Sequence, residues 1–235
     1  MSKPKTAIVT GANRGIGLET VRQLVAQNIR VIATVRSLAD AEALRDMARQ
    51  GLPVFVDVLD VSSTDSVKGF AERVHESVEA VDILINNAGV ALDKWVPALE
   101  LDIDVWRQTM EVNLYGVLRM CQAFVPGMKK VGHGRVVNVS SELGSLTGMS
   151  VGSSVAYRSS KTALNSLTAL LACELKDYPD VLVNASCPGW VKTELGGADA
   201  PLTPAQGADT AVWLATLPAG IGSGGLYRER GVWPW

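Results

Sequence analysis

Short runs dominated by valine and isoleucine alternate with longer amphipathic runs along the whole chain, and no other feature restricts the fold so strongly. Repeated β–α–β units of this kind pack as parallel strands with their crossover helices on the sheet faces. Strands are expected over residues 6–10, 30–35, 54–58, 82–86, 135–139 and 181–185, with a weaker seventh near 225–227. Most lack polar alternation, so both faces of the sheet should be covered. An apolar share of 47% over 235 residues is ample for one core, and no repeat, low-complexity tract or long linker divides the chain. The expectation is a single doubly wound α/β domain over residues 1–235, with about seven mostly parallel strands.

Composition narrows the partners. Charged residues make up 20% of the chain and sum to −2, which offers no field to recruit nucleic acid or an anionic membrane. No apolar run approaches the ~18 residues of a membrane span, and residues 1–5 pass directly into the first strand, without the apolar stretch of a secretory signal. Cys121, Cys173 and Cys187 are widely spaced and form no CxxC pair, which fits reduced thiols in the cytoplasm better than disulfides or zinc. His75 and His133 read as ordinary surface histidines, too few for a metal site or a Ser-His-Asp triad. A serine hydrolase is further disfavoured because no Gly-x-Ser-x-Gly elbow occurs. A small molecule is therefore the expected partner.

Thr10-Gly11-Ala12-Asn13-Arg14-Gly15-Ile16-Gly17 joins the first strand to an amphipathic helix expected over residues 18–27. That is the setting of a dinucleotide phosphate turn, in which glycines admit the pyrophosphate and the helix amino terminus meets its charge. Gly11, Asn13, Arg14, Gly15, Ile16 and Gly17 are thus candidate cofactor residues, and the doubly wound fold is expected to be of the Rossmann type. An NAD-preferring site places an acid at the end of the second strand, roughly 20 residues past the glycines, for the ribose 2′-hydroxyl. Here the stretch reads Ala33-Thr34-Val35-Arg36-Ser37-Leu38-Ala39. Arg36 stands where a 2′-phosphate needs a cation, and Arg14 offers a second. NADP(H) is the expected cofactor, with NAD(H) as the alternative.

Tyr157 and Lys161 open the apolar-periodic run at 163–175, one turn apart on one helical face. Moving a tyrosine from pKa ~10 to ~7 takes ~4 kcal/mol. An ammonium ~4 Å away at an effective dielectric of ~20 supplies about that much before desolvation. With these residues the chain resembles the short-chain dehydrogenase/reductase family over essentially its whole length. The turn at 10–17 matches the family's Thr-Gly-x-x-x-Gly-x-Gly, and Asn86-Asn87-Ala88-Gly89 follows the fourth strand. Asn113, Ser140-Ser141, Tyr157 with Lys161, and Pro188-Gly189 through Thr193 then come in the family's order.

The resemblance implies a hydride transfer between nicotinamide and a carbonyl or alcohol carbon. In that scheme Ser141 bonds the substrate oxygen, Tyr157 exchanges a proton with it, Lys161 binds the nicotinamide ribose while depressing the tyrosine pKa, and Asn113 holds a relay water. Ser140 is the alternative serine, because the 16 residues from Ser141 to Tyr157 are a few more than the family usually shows. Asp60 and Val61 would contact adenine, Asn87, Ala88 and Gly89 would line the cleft, and Pro188, Gly189, Val191 and Thr193 would hold the carboxamide. The segment 184–193 is similar to that of the family's carbonyl reductases. Residues 190–204 are the expected substrate loop and 144–152 a flexible lip. Leu143, Leu146, Met149, Trp190 and Leu195 are candidate apolar pocket walls, which favours hydrophobic ketones or aldehydes. A helix-packed homodimer or homotetramer is implied as well. The rival readings are a nonenzymatic NADP-binding sensor and an NAD(H)-dependent alcohol dehydrogenase of the same fold.

Overall fold

The computed structural model describes residues 4–147, 149–150 and 152–235. In chain order the elements are β1 (Thr6–Val9), α1 (Gly15–Val25), β2 (Arg30–Val35), α2 (Glu42–Arg49), β3 (Val54–Val58), α3 (Thr64–Ser77), β4 (Ile83–Asn86) and α4 (Ile103–Met110). After a π turn at Glu111–Tyr115 come α5 (Gly116–Val131), β5 (Gly134–Val139), α6 (Val155–Glu174), β6 (Val181–Ser186), α7 (Pro204–Ala215), β7 (Leu226–Arg228) and β8 (Gly231–Trp233). They build one sheet in the order β3-β2-β1-β4-β5-β6-β7-β8, parallel throughout except for β7 with β8.

Successive residues of each strand face opposite sides, and this splits the core in two. Ala7 and Val9, with Val31, Ala33, Ile83, Ile85 and Val137, pack under Leu24 of α1, Leu44 of α2 and Leu214 of α7. Ile8, Ile32, Leu84, Val136 and Val183 meet Phe70 of α3, Met120 and Phe124 of α5 and Leu164 of α6. Because both faces are covered, the strands are rich in valine and isoleucine without polar alternation. The edge strand β3 is the exception, with Phe55 49% exposed.

The sheet has eight strands where about seven were expected. β8 folds back on β7 through Glu229 and Arg230, both at positive φ (51° and 62°). Tight hairpin turns of this hand favour asparagine and glycine, so a Glu-Arg turn beside an exposed Val232 carries no hairpin signal. Helix α1 also starts earlier than expected, at Gly15 within the glycine turn.

Strand order reverses between β1 and β4, whose neighbours run off in opposite directions. Loops leaving the carboxyl ends of these two strands part there, and the crevice between them is where open α/β sheets bind ligands. Both the glycine turn and Asn86-Asn87-Ala88-Gly89 emerge at that point.

Candidate active site

The two loops at the crevice are tied together by their own polar groups. Asn87 donates from Nδ2 to the carbonyls of Thr10 (2.8 Å) and Gly11 (3.0 Å). The backbone N–H groups of Asn87 and Ala88 in turn donate to Thr10 Oγ1 at 3.0 and 2.9 Å. This clamp leaves no room at Gly17, where a Cβ would lie 2.5 Å from Asn87 Nδ2 and strike the Gly11 carbonyl. Asn87 thus shapes the cleft by holding the turn with its side chain, a task for which Thr10 is the partner that sequence reasoning missed.

Helix α1 begins without an acid in its first turn and without a side-chain cap at Arg14. The N–H groups of its first turn, which have no intrahelical partner, are thus left without a side-chain cap at Arg14 and are available to an anion. Arg36 lies exposed just past β2, and among the described residues it makes no hydrogen bond or ion pair. Asp60, after β3, has Oδ1 occupied by Ser62 N (2.9 Å) and Ser62 Oγ (2.6 Å), while Val61 is buried against Gly116. Thr193 rests over Gly15, and Gly89 lies beside Asn113 Oδ1 and Lys161 Nζ. This donor set fits a phosphorylated dinucleotide. Arg14 pairs with Glu194 of the 190–204 loop, the opposite charge within its reach.

The reacting groups come from two elements. Ser141, directly after β5, begins a single 3-10 turn (Glu142–Gly144), where its Oγ accepts from Leu143 N at 3.1 Å and lies near enough to the Tyr157 phenol to lower its pKa. Ser140 is 1% exposed and donates to Asn165 Oδ1 at 2.5 Å. Ser141 is therefore the serine at the tyrosine, and Ser140 anchors the loop to α6. Lys161, 5% exposed, donates from Nζ to the Val139 carbonyl at 2.8 Å and stands 5.8 Å from the Tyr157 ring centre.

Burial lowers the Lys161 ammonium to about 8. Although Tyr157 keeps intermediate exposure, burial pushes its phenol up to about 12, against the lowering effect of the Ser141 hydroxyl. The expected depression of the tyrosine by the lysine is thus absent from the protein alone, because desolvation dominates both groups. The phenol is protonated at neutral pH, as tyrosine ordinarily is, and that is the state carbonyl reduction consumes.

Asn113, fully buried in the π turn, bonds internally through both ends of its amide. Nδ2 donates to the Val90 carbonyl (2.8 Å) and to Ser160 Oγ (3.0 Å), and Oδ1 accepts from Val90 N (2.8 Å). Through these bonds Asn113 holds the loop leaving β4. The 190–204 loop is folded on itself: Trp190 Nε1 donates to the Gly196 carbonyl (2.7 Å), Gly196 N to Thr193 Oγ1 (3.0 Å), and Val191 pairs with Leu202. Pro188 and Gly189 lead from β6 into it. Leu143, Leu146, Met149, Trp190 and Leu195 are each between 37% and 65% exposed. Of the expected lip, Gly148 and Val151 lie outside the described residues, whereas Thr147 is fixed by two hydrogen bonds to the Trp235 carbonyl.

His133 is not a lone surface histidine; its Nδ1 lies 2.7 Å from Asp180 Oδ2. Among the described residues no cluster of histidine, cysteine or acids is arranged to hold a metal, and no helix is long and apolar enough to cross a membrane. Cys121, Cys173 and Cys187 are all free thiols.

Comparison with known proteins bears on this geometry directly. The family model for short chain dehydrogenases matches residues 5–201. The (+)-neomenthol dehydrogenase of Arabidopsis thaliana is 32% identical over 97% of this chain and 96% of its own. The NADPH carbonyl reductase 1 of Sus scrofa is 30% identical over 93% of this chain and 89% of its own. Among solved structures, an NADPH-bound carbonyl reductase from chicken fatty liver superposes with a TM-score of 0.90 at 29% identity, each chain covered in full. Carbonyl reductase Sniffer of D. melanogaster gives 0.90 at 26% identity over 99% of this chain and 100% of its own. The chain belongs to the short-chain dehydrogenase/reductase family and is an oxidoreductase of its carbonyl reductase-like kind.

Proposed function

We propose that this protein reduces hydrophobic ketones or aldehydes with NADP(H), and that the Ser141 hydroxyl and the Tyr157 phenol, beside buried Lys161, mark where the carbonyl oxygen binds. NADP(H), when bound, supplies the hydride. Gly11, Asn13, Gly15, Ile16 and Gly17 with the start of α1 would hold its pyrophosphate, and Arg36 its 2′-phosphate. Asp60 and Val61 would flank the adenine, Ala88 and Gly89 would line the cleft, and Pro188, Gly189, Val191 and Thr193 would meet the carboxamide. Ser141 would donate to the substrate oxygen while Tyr157, protonated at neutral pH, delivers its proton there. Lys161 would bind the ribose, and its charge favours the phenolate left behind.

Support for an apolar substrate comes from Leu143, Leu146, Met149, Trp190 and Leu195, all aliphatic or aromatic and all accessible; the 190–204 loop would shape that pocket. The relatives named carbonyl reductase and neomenthol dehydrogenase agree in substrate chemistry. Free thiols fit a reducing cytoplasm. Exposed Tyr115 and Leu170, on the π turn and α6, favour a homodimer or homotetramer packed through these helices, and light scattering after size-exclusion chromatography that gave only a monomer would refute this.

The decisive experiment follows NADPH consumption, with NADH in parallel, against aryl ketones, aldehydes, ketoesters and diketones. Turnover with NADPH that disappears in Tyr157→Phe while NADPH binding persists is the expected result. Binding without turnover of any carbonyl would instead favour the sensor reading.

A further inference from the structure

The loop leaving β4 reaches the catalytic helix through a single buried acid. Asp93 is 1% exposed. Its Oδ2 accepts from Ala156 N at 2.6 Å and its Oδ1 from Tyr157 N at 3.2 Å, and among the described residues no cation pairs with it. A carboxyl group this deeply buried costs several kcal/mol unless its charge is met. Here the first N–H groups of α6 and the positive end of that helix meet it.

A helix start is ordinarily capped by the residue beside it. Ser154 occupies that place but makes no capping bond, since its backbone is left-handed (φ 51°) and its Oγ accepts from Trp95 N at 2.9 Å. Ser154 N donates in return to the Val96 carbonyl at 3.1 Å. Ser153 (φ 77°) and Trp95 (φ 62°) are left-handed too, a conformation that costs non-glycine residues energy and persists only where surrounding contacts over-determine it. Two strained segments are thus held against each other, and Asp93 is the polar group that joins both to α6.

We propose that Asp93 is a positioning residue for the proton transfer: a cap delivered 64 residues ahead of Tyr157 that fixes where α6 begins, and so where the phenol stands against Ser141. The inference rests on Tyr157 being the proton donor. The same loop carries Ala88 and Gly89 of the cofactor cleft and is gripped at Val90 by Asn113, so the cap also sets the catalytic helix in register with that cleft.

Asp93→Ala removes both acceptors and Asp93→Asn keeps one. In Asp93→Ala, kcat should fall about tenfold or more, since small misplacements of a reacting group are costly. The substrate KM and the NADPH Kd, read by protein fluorescence, should stay within about twofold of wild type, and Asp93→Asn should recover part of the lost kcat. Hydrogen exchange in peptides covering 155–161 should quicken in Asp93→Ala while β4 and β5 stay protected. Faster exchange at the helix start supports the cap even if no carbonyl compound is reduced, a result that would count against the reaction alone. Wild-type kcat in Asp93→Ala, unchanged exchange at 155–161, or a parallel collapse of kcat, NADPH affinity and Tm would each overturn the proposal.

Discussion

Burial takes the Lys161 ammonium from 10.5 to about 8, so at neutral pH the folded protein holds this charge at a cost of about 3 kcal/mol. For a cation whose folded pKa is lowered, the cost is full below the folded value and is relieved as pH rises from about 8 toward 10.5. Lys161→Met should therefore abolish turnover yet raise the urea midpoint at pH 7, with the difference from wild type shrinking between pH 8 and 10. Equal midpoints at pH 7 would show the charge to be better solvated than its surroundings indicate. Arg36, exposed and unpaired among the described residues, belongs to the same scale. Arg36→Asp should raise the NADPH KM at least about tenfold while changing the NADH value little, because a bidentate phosphate contact is lost. Tyr157 and Lys161 were legible in the sequence from their spacing together with the ordered motifs around them, whereas the tyrosine's upward shift was not, since desolvation depends on groups distant in the chain.

The 3-10 turn at Glu142–Gly144 works as a spacer between β5 and α6. A Cβ at Gly144 would fall 2.7 Å from both the carbonyl carbon and the Cβ of Lys161, and the Gly144 carbonyl accepts from Thr162 Oγ1 (2.9 Å) and Asn165 Nδ2 (3.3 Å). Gly144→Ala should push the turn off α6, lowering thermal stability by about 1–3 kcal/mol and kcat together while NADPH affinity is spared. Retained kcat would mean that the turn yields without moving Ser141 or Lys161. At this scale strands were readable because both-face burial writes continuous valine and isoleucine, but β8 was not, its turn being built from Glu229 and Arg230. The roles of Asn165 and Asp93 also left no local trace, since each bonds backbone or side chains far along the chain.

Across the whole molecule, part of the stability lost on acidification comes from a cluster remote in sequence from the glycine turn. Arg135, 2% exposed, bonds Asp180 Oδ1 (2.6 Å), the Asp180 carbonyl (2.6 Å) and the Leu217 carbonyl (2.8 Å), while His133 holds the other carboxylate oxygen. Burial raises the Asp180 carboxyl, but the bonds from His133 and Arg135 outweigh it and hold the group below its ordinary value. A depressed acid contributes stability that is present above its unfolded pKa, ~3.9, and is lost as pH falls through the lower folded value. Asp180→Asn should cost about 2–4 kcal/mol at pH 7, by leaving a buried guanidinium without its counter-charge, and the gap to wild type should close below pH 4. A gap independent of pH would assign the loss to packing. Periodicity and ordered motifs by themselves determined the parallel α/β class and pointed to the glycine turn and the Tyr157–Lys161 pair, because these depend on neighbours within a few residues. Only the tertiary structure decided that Ser141 rather than Ser140 meets the tyrosine, that Arg14 turns to Glu194, that Asn113 spends its side chain on Val90, and that Asp93 caps the catalytic helix. Each of those is a contest between partners separated by tens of residues, and folding alone sets which of them come within hydrogen-bond reach.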